Sequence, residues 1–379
     1  MDFGLSKEHV LLKRMLEEFA ENEVKPIAAD VDEEEKFPWE TIKKMAKAGM
    51  LGIPYAKEYG GQGADYISYI MAVEELAKVC GTTAVILSAH TSLGSAPIND
   101  WGTEEQKKKF LTPLAKGEKI AAFGLTEPNA GTDAAGQQTT AVLDGDEWVL
   151  DGSKMFITNG EVADTYVVFA VTDKTQGHKG ISAFIVEKGT PGFSFGPKEK
   201  KLGIRGSATC ELVFENCRIP KENLLGKEGK GFTIALHTLD GGRIGIAAQA
   251  LGIAEGALNE AITYVKERRQ FGRPIAKFQN TQFRLADMYS RIECAKLAVY
   301  KAAWEKQTGK DYSISSAVAK LVAAETAMYV TTKAVQLFGG YGYIRDYPVE
   351  RMMRDAKITE IYEGTSEVQR IVISKSLLK

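Results

Sequence analysis

Near the end of the chain, the run Tyr362-Glu363-Gly364-Thr365-Ser366-Glu367-Val368-Gln369-Arg370 joins a carboxylate to a helix breaker and a helix start. Ser366 and Gln369, three apart, read as a capping box opening a helix over 366–378, while Gly364 ends whatever helix precedes it. Glu363 then falls in a short bend between helices, where a carboxylate can project into a cleft and take a proton as a general base. A solvated bend glutamate is the plain alternative. Glu360 and Glu367 read as surface or capping charges.

Two further runs carry groups suited to a ligand. Phe123-Gly124-Leu125-Thr126-Glu127-Pro128-Asn129-Ala130-Gly131-Thr132-Asp133 packs hydroxyls, a proline and glycines into one loop, so backbone N–H groups and threonine hydroxyls can converge on an anion or a polar ring edge. Phe156-Ile157-Thr158-Asn159-Gly160 follows a strand-like lead-in and places an aromatic face and a hydroxyl two residues apart, on one side of a strand. Such a pair could stack on and hydrogen-bond to a flat heterocycle. An ornate polar turn and a core Phe beside an edge Thr explain the same residues without a ligand.

The elements that must position these groups follow from periodicity. Leu12, Met15, Leu16, Phe19 and Ala20 recur at helical spacing until Pro26, and 39–49, 66–80, 84–93 and 104–115 repeat the pattern between Gly/Pro breaks. Residues 1–118 are expected to be all-helical. Over 119–228 short β-branched or aromatic runs replace helices: 142–143 and 148–150 around Asp144-Gly145, then 165–171, 181–186 and 211–214. With no pattern long enough for a crossover helix, an antiparallel β-domain is expected. Long helical stretches return over 229–379, at 244–269, 281–307, 314–338 and 366–378, and predict a four-helix bundle.

Composition fits this order and limits the partners. The 379 residues, at roughly 150 per domain, allow two to three domains. Hydrophobic residues make up 44% and charged ones 26%, and Lys+Arg 48 against Asp+Glu 50 leave a net charge of -2, so neither nucleic acid nor an anionic membrane is expected as a partner. No apolar run approaches the ~20 residues of a membrane span, and no signal-peptide core opens the chain, which predicts a cytoplasmic protein. The cysteines 80, 210, 217 and 294 lie far apart, and the histidines 9, 90, 178 and 237 do not pair at ligand spacings, so neither a disulfide framework nor a bound metal is expected. Common nucleotide and hydrolase motifs fail: Gly340-Tyr341-Gly342 breaks the dinucleotide spacing, Gly226–Gly231 lacks the Gly-Lys-Ser/Thr of a phosphate loop, and there is no Gly-x-Ser-x-Gly.

Six separated motifs in order resemble the acyl-CoA dehydrogenase family: 123–132, 156–158, Leu239-Asp240-Gly241-Gly242-Arg243-Ile244-Gly245, Arg268-Arg269-Gln270-Phe271-Gly272-Arg273, Gln336-Leu337-Phe338-Gly339-Gly340-Tyr341-Gly342 and 361–365. The resemblance spans the whole chain and is greatest to the short-chain, butyryl-CoA branch of bacterial fermenters. It implies the same α, β, α plan and a non-covalent FAD between β-domain and bundle. Matched motif by motif, Phe123, Leu125, Thr126, Gly131 and Thr132 would line the flavin, with Thr132 also near CoA, and Phe156 and Thr158 would face its ring. Arg268, Phe271, Gln279, Gln336, Leu337, Gly339 and Gly340 would hold the adenine and pyrophosphate end, in part that of a neighbouring subunit's flavin. Thr365 and Glu367 would complete the cofactor site, and Asp240, Arg243 and Gly364 would contact the thioester substrate.

In the family the base is either the Glu of Tyr-Glu-Gly-Thr or the residue just before the helix arginine. The second position here is Gly242, which leaves Glu363. Phe156 stands where many relatives have Trp, and ring stacking survives that change. The resemblance further implies α,β-dehydrogenation of a short-chain acyl-CoA, butyryl-CoA to crotonyl-CoA or the reverse: Glu363 takes the α proton as a hydride passes to flavin N5, with a backbone N–H and a ribityl hydroxyl polarising the thioester carbonyl. It implies a homotetramer, a dimer of dimers, with electron-transfer flavoprotein as electron partner. A flavin monooxygenase or oxidase on the same fold, and a non-catalytic flavoprotein subunit of an electron-transfer complex, remain the competing readings.

Overall fold

The computed structural model describes residues 4–378; residues 1–3 and 379, the outer ends of the first and third expected segments, lie outside the described residues. Helices occupy the first part of the chain. Helix α1 (Lys7–Phe19) starts on Ser6, whose hydroxyl accepts from the His9 N–H. After it come α2 (Ala28–Glu33), α3 (Trp39–Lys47), α4 (Tyr66–Ala77), α5 (Gly81–Ser88), α6 (Ala96–Trp101), α7 (Glu104–Gln106) and α8 (Thr112–Ala115). Between α5 and α6 the chain widens into a buried π-helical turn, Ala89–Ser95. Such turns frequently mark functional sites.

Eight strands form one sheet: β1 (Ala121–Gly124), β2 (Thr140–Asp144), β3 (Glu147–Thr158), β4 (Thr165–Val171), β5 (Ile181–Glu187), β6 (Phe193–Lys198), β7 (Thr209–Pro220) and β8 (Leu224–Leu225). Their order is β6-β7-β3-β2-β4-β5-β8, with β1 beside β4. Most pairs are antiparallel as expected, but β1 runs parallel to β4, and β2 touches β4 in parallel at Thr140 and Val171, so the sheet is mixed. Strand β1 has only four residues and no alternation to betray it. In β4 alternate residues enter different cores: Tyr166, Val168 and Ala170 face one, and Val167, Phe169 and Val171 the other. A strand apolar on both faces sits between two packed layers.

Helix α9 (Gly231–Glu267) spans 37 residues, about 55 Å. A two-strand ribbon, β9 (Arg269–Gln270) with β10 (Arg273–Pro274), leads to α10 (Gln279–Gln307), α11 (Ser313–Phe338), α12 (Val349–Ile358) and α13 (Ser366–Leu377). The four expected helices are α9, α10, α11 and α13, and α12 is a short addition. Helix α9 begins at Gly231 rather than Ile244, taking in Gly241 and Gly242, and glycines further along it are contact points. A β-carbon on Gly252 would lie 2.2 Å from the Glu74 carbonyl oxygen, and one on Gly256 would lie 2.0 Å from that of Lys78. Bare backbone lets α9 lie directly on the N-terminal helices, and tertiary packing outweighs the local helix penalty of glycine. Asp240 and Arg243 therefore sit well inside the helix. No helix of the described residues is long and apolar enough to cross a membrane.

Candidate active site

Between α12 and α13 the chain reverses through two successive left-handed residues, Glu363 (φ 53°) and Gly364 (φ 93°). Left-handed backbone costs a non-glycine residue about 1–3 kcal/mol and persists only where its surroundings enforce it. Here Gln369 Nε2 donates to the Gly364 carbonyl at 2.8 Å and to that of Glu363 at 3.4 Å, and Lys320 Nζ donates to the Gly364 carbonyl at 2.7 Å. The expected Ser366/Gln369 capping box does not form. Thr365 caps α13 by accepting from the Val368 N–H, while Gln369 turns back to satisfy the carbonyls of the bend.

The Glu363 side chain enters the molecule. Its Oε2 is sealed from solvent and has no hydrogen-bond partner, with Gly242 of α9 and Leu93 of the π-helical turn close by. Burial pushes its carboxyl up to about 8, although Lys320 and Arg243 both favour the anion. Among the described residues its backbone N–H has no acceptor, so it is free for a ligand oxygen. Arg243 is buried, donates to Asp240 Oδ1 at 2.5 Å and keeps a sealed Nε without a partner.

Glu363, Gly364 and Arg243 line a cleft of about 300 Å³ together with Phe123, Leu125, Thr126, Gly131, Thr132, Phe156 and Thr158. Val85, Ala89, Leu93 and Tyr362 supply its apolar wall. Phe156 and Thr158 do not share a regular strand face: the register with β7 breaks between Lys154 and Ile157, and Phe156 takes φ 60°. The irregularity turns Phe156 outward, 60% exposed, and both residues still reach the cleft. Beneath the 123–133 loop, Lys154 is fully buried. Its Nζ donates to Glu127 Oε1 at 2.7 Å, Gln137 Oε1 at 3.0 Å and the Leu125 carbonyl at 3.2 Å, and Glu127 Oε1 accepts from the Thr139 N–H. This pair staples the loop to β3.

A second cleft, of about 490 Å³, gathers Arg268, Gln336, Leu337, Gly339 and Gly340 with Tyr264, Gln270 and Tyr341. Phe271 and Gln279 are exposed outside it, and Phe271 is 92% exposed. Asp240 and Thr365 flank the first cleft without lining it, and Glu367 points to solvent beside Arg370. Sequence reasoning does not single out Lys320, yet a lysine in phase with Ser316, Ala319, Ala323 and Ala327 on one helix face is the mark of a buried charge.

These donor sets suit a flavin dinucleotide. The first cleft offers an exposed aromatic face, an aliphatic one and three threonine hydroxyls, which match a flat ring with a polar edge. The second offers a guanidinium and bare glycine backbone, where a β-carbon on Gly339 or Gly340 would meet nothing within 4 Å, as a pyrophosphate and a purine require. Fold and clefts together define a flavin-dependent oxidoreductase with a buried carboxyl group at its ring-binding cleft. The chain belongs to the acyl-CoA dehydrogenase family: the models of its N-terminal, middle and C-terminal domains match residues 6–118, 122–217 and 229–378.

The chain is 68% identical to the short-chain-specific acyl-CoA dehydrogenase of Clostridium acetobutylicum, covering 100% of both chains. The butyryl-CoA dehydrogenase of Megasphaera elsdenii superposes with a TM-score of 0.98 at 54% identity, over 100% of both chains. A chain solved in work on the electron transferring flavoprotein of Acidaminococcus fermentans and flavin-based electron bifurcation gives 0.99 at 60% identity, again over 100% of both. An acyl-CoA dehydrogenase of Bacillus anthracis complexed with FAD gives 0.94 at 37%, covering 99% of this chain and 67% of that one.

Proposed function

We propose that this protein is an FAD-dependent short-chain acyl-CoA dehydrogenase that interconverts butyryl-CoA and crotonyl-CoA, with Glu363 as the base. The observation that carries this reading is the sealed, unpartnered Glu363 Oε2 in a cleft shared with Phe156, Thr158 and the 123–133 loop. Bound FAD supplies the acceptor for the hydride that leaves the β carbon. Phe123, Leu125, Thr126, Gly131, Thr132, Phe156 and Thr158 hold its ring end. Arg268, Gln336, Leu337, Gly339 and Gly340 hold the adenine and pyrophosphate end, in part for a neighbouring subunit, with Phe271 and Gln279 added at the contact. Thr365 and Glu367 complete the cofactor site.

The α C–H of a thioester is a very weak acid, so the base must have a raised proton affinity. Burial provides that for Glu363, whose carboxyl ionises near pH 8 instead of near 4.5. The free N–H of the same residue can donate to the thioester carbonyl as charge develops there, so one residue both removes the proton and stabilises the enolate. Arg243, held by Asp240, keeps positive charge on the substrate side, and Thr132 and Gly364 complete the thioester's surroundings. Val85, Ala89 and Leu93 give the acyl chain an apolar wall. The assembly is a homotetramer that exchanges electrons with electron-transfer flavoprotein.

Mixing the yellow holoenzyme with butyryl-CoA tests the reading. Bleaching is expected in the parent and almost none in Glu363→Gln, which keeps its FAD and its affinity for the thioester. Normal bleaching in that variant removes Glu363 as base. Rates over C4 to C8 acyl-CoAs should peak at C4, and a maximum at C8 refutes the short-chain assignment.

A further inference from the structure

Lys320 lies in the middle of α11, wholly shielded from solvent. Its Nζ donates to the Gly364 carbonyl at 2.7 Å, an oxygen that Gln369 Nε2 also reaches at 2.8 Å. The bond crosses from the bundle to the bend before α13 and anchors the residue that directly follows the base. Burying an ammonium is costly unless it is paired, and among the described residues Lys320 has no carboxylate within ion-pair distance. Its neighbours Ala319, Ala323 and Ala327 need no charge for packing. The cost is retained for something the charge does.

The charged groups facing Lys320 identify what that is. Glu363, Glu360 and Glu367 are the acidic ones, and Arg243 the like charge. Glu360 is paired with Lys357 at 2.7 Å, and Glu367 is in solvent beside Arg370. Glu363 alone of the three is an unpaired carboxylate inside the molecule. Around Glu363, α9 contributes Arg243, whose charge is already engaged by Asp240, and α4 contributes the phenols Tyr66 and Tyr69, kept protonated by burial like the adjacent Tyr362. Lys320 is the remaining cation.

We propose that Lys320 is a positioning residue for the base: it holds the Gly364 carbonyl, and so the left-handed bend that aims Glu363, and its charge favours the ionised carboxylate. The proposal rests on Glu363 being the base. Burial brings the Lys320 ammonium down to about 8, so at neutral pH, where the carboxyl begins to ionise, it is still largely charged.

Lys320→Met removes bond and charge at similar length, and Lys320→Gln keeps a donor without the charge. The carboxyl of Glu363 is titrated by infrared difference spectroscopy on the holoenzyme, its band identified by disappearance in Glu363→Gln. The pH profile of flavin bleaching by butyryl-CoA is measured alongside. Both Lys320 variants should keep FAD, and in both the carboxyl titration should move upward by about one pH unit or more. Below pH 8 bleaching should fall about tenfold or more and recover as pH rises. Lys320→Met should lose additional rate at every pH, and Lys320→Gln should regain that part only. A titration midpoint unmoved in both variants overturns the proposal, as does an equal loss at every pH in both; if Lys320→Met does not fold, Lys320→Gln decides alone. Full bleaching by Glu363→Gln instead sinks the assignment of the base, a different failure from an inert Glu363→Gln beside Lys320 variants that titrate like the parent.

Discussion

Gly242 and Glu363, 121 positions apart in the chain, occupy almost the same point in space: a β-carbon on Gly242 would lie 2.3 Å from Glu363 Oε2. The two positions that the family resemblance offers for a base are therefore alternatives within a single cavity. A side chain on the α9 position excludes the carboxylate from the bend, and glycine there makes room for it. Leu93 Cδ2 would lie 2.7 Å from the same β-carbon, so the space at Gly242 is filled from two sides.

Gly242→Ala should consequently displace the carboxylate while leaving fold and flavin intact. Misplacing a catalytic group by about 1 Å costs roughly 100-fold in rate, and stopped-flow bleaching by butyryl-CoA should register that loss. In a Glu363→Gly background, Gly242→Glu should restore measurable bleaching. Full activity in Gly242→Ala contradicts the shared cavity.

Stability should carry the mark of the same burial. An unfolded Glu363 titrates near 4.5 and the folded one near 8, so between these values the native state holds a proton that the unfolded chain has released. Stability contributed at this site thus falls as pH rises from 4.5 to 8 and then levels off. Glu363→Gln removes that loss, and its Tm should exceed the parent's at pH 8.5 by roughly 3 °C or more, with no difference near pH 4.5. Calorimetry at the two pH values checks this, and a less stable variant at pH 8.5 refutes it.

Breaking the buried Lys154–Glu127 pair should release the 123–133 loop. Lys154→Met leaves Glu127 charged and without its ammonium, at a cost of about 3–5 kcal/mol. Urea unfolding should show that loss, and the ratio of flavin to protein absorbance should drop because Leu125 and Thr126 lose their anchor. A variant with unchanged flavin content speaks against the loop as a flavin ligand.

Thr158→Ala should leave flavin content and Glu363-dependent exchange of the α proton intact while shifting the flavin midpoint potential. Exchange of butyryl-CoA into deuterated water, followed beside a spectroelectrochemical titration, separates the two effects. An unmoved potential removes Thr158 from the ring.

Phe271 makes few contacts within its own chain, so Phe271→Ser should cost the folded subunit little. If a neighbouring subunit covers it, as the proposed homotetramer requires, light scattering should show a smaller particle with reduced FAD. An intact, fully yellow tetramer counts against that contact.

The α, β, α order and most of the strands and helices were legible in the chain because hydrophobic patterning is a local property, written as an unbroken apolar run in β4 and at helical spacing in α11. The motif residues that meet in the first cleft were legible through the family resemblance instead. Less visible were features decided by what lies across a contact. The helix start was one: α9 begins at Gly231 and runs through Gly241 and Gly242, ahead of the apolar pattern at 244, and its glycines 242, 252 and 256 are points of close approach. The parallel pairing of β1 with β4 was equally hidden in a four-residue strand.

The sequence, read with the family resemblance, left Glu363 as the candidate base because position 242 has no side chain, and it showed which loops carry hydroxyls and rings. Only the tertiary structure decided that Gln369 and Lys320 hold the bend from outside it, that Thr365 rather than Ser366 caps α13, and that the Glu363 carboxyl is dry enough to ionise near pH 8. The reason is physical: burial and hydrogen-bond partners belong to groups that meet in space, and proton affinity follows from them rather than from residue type.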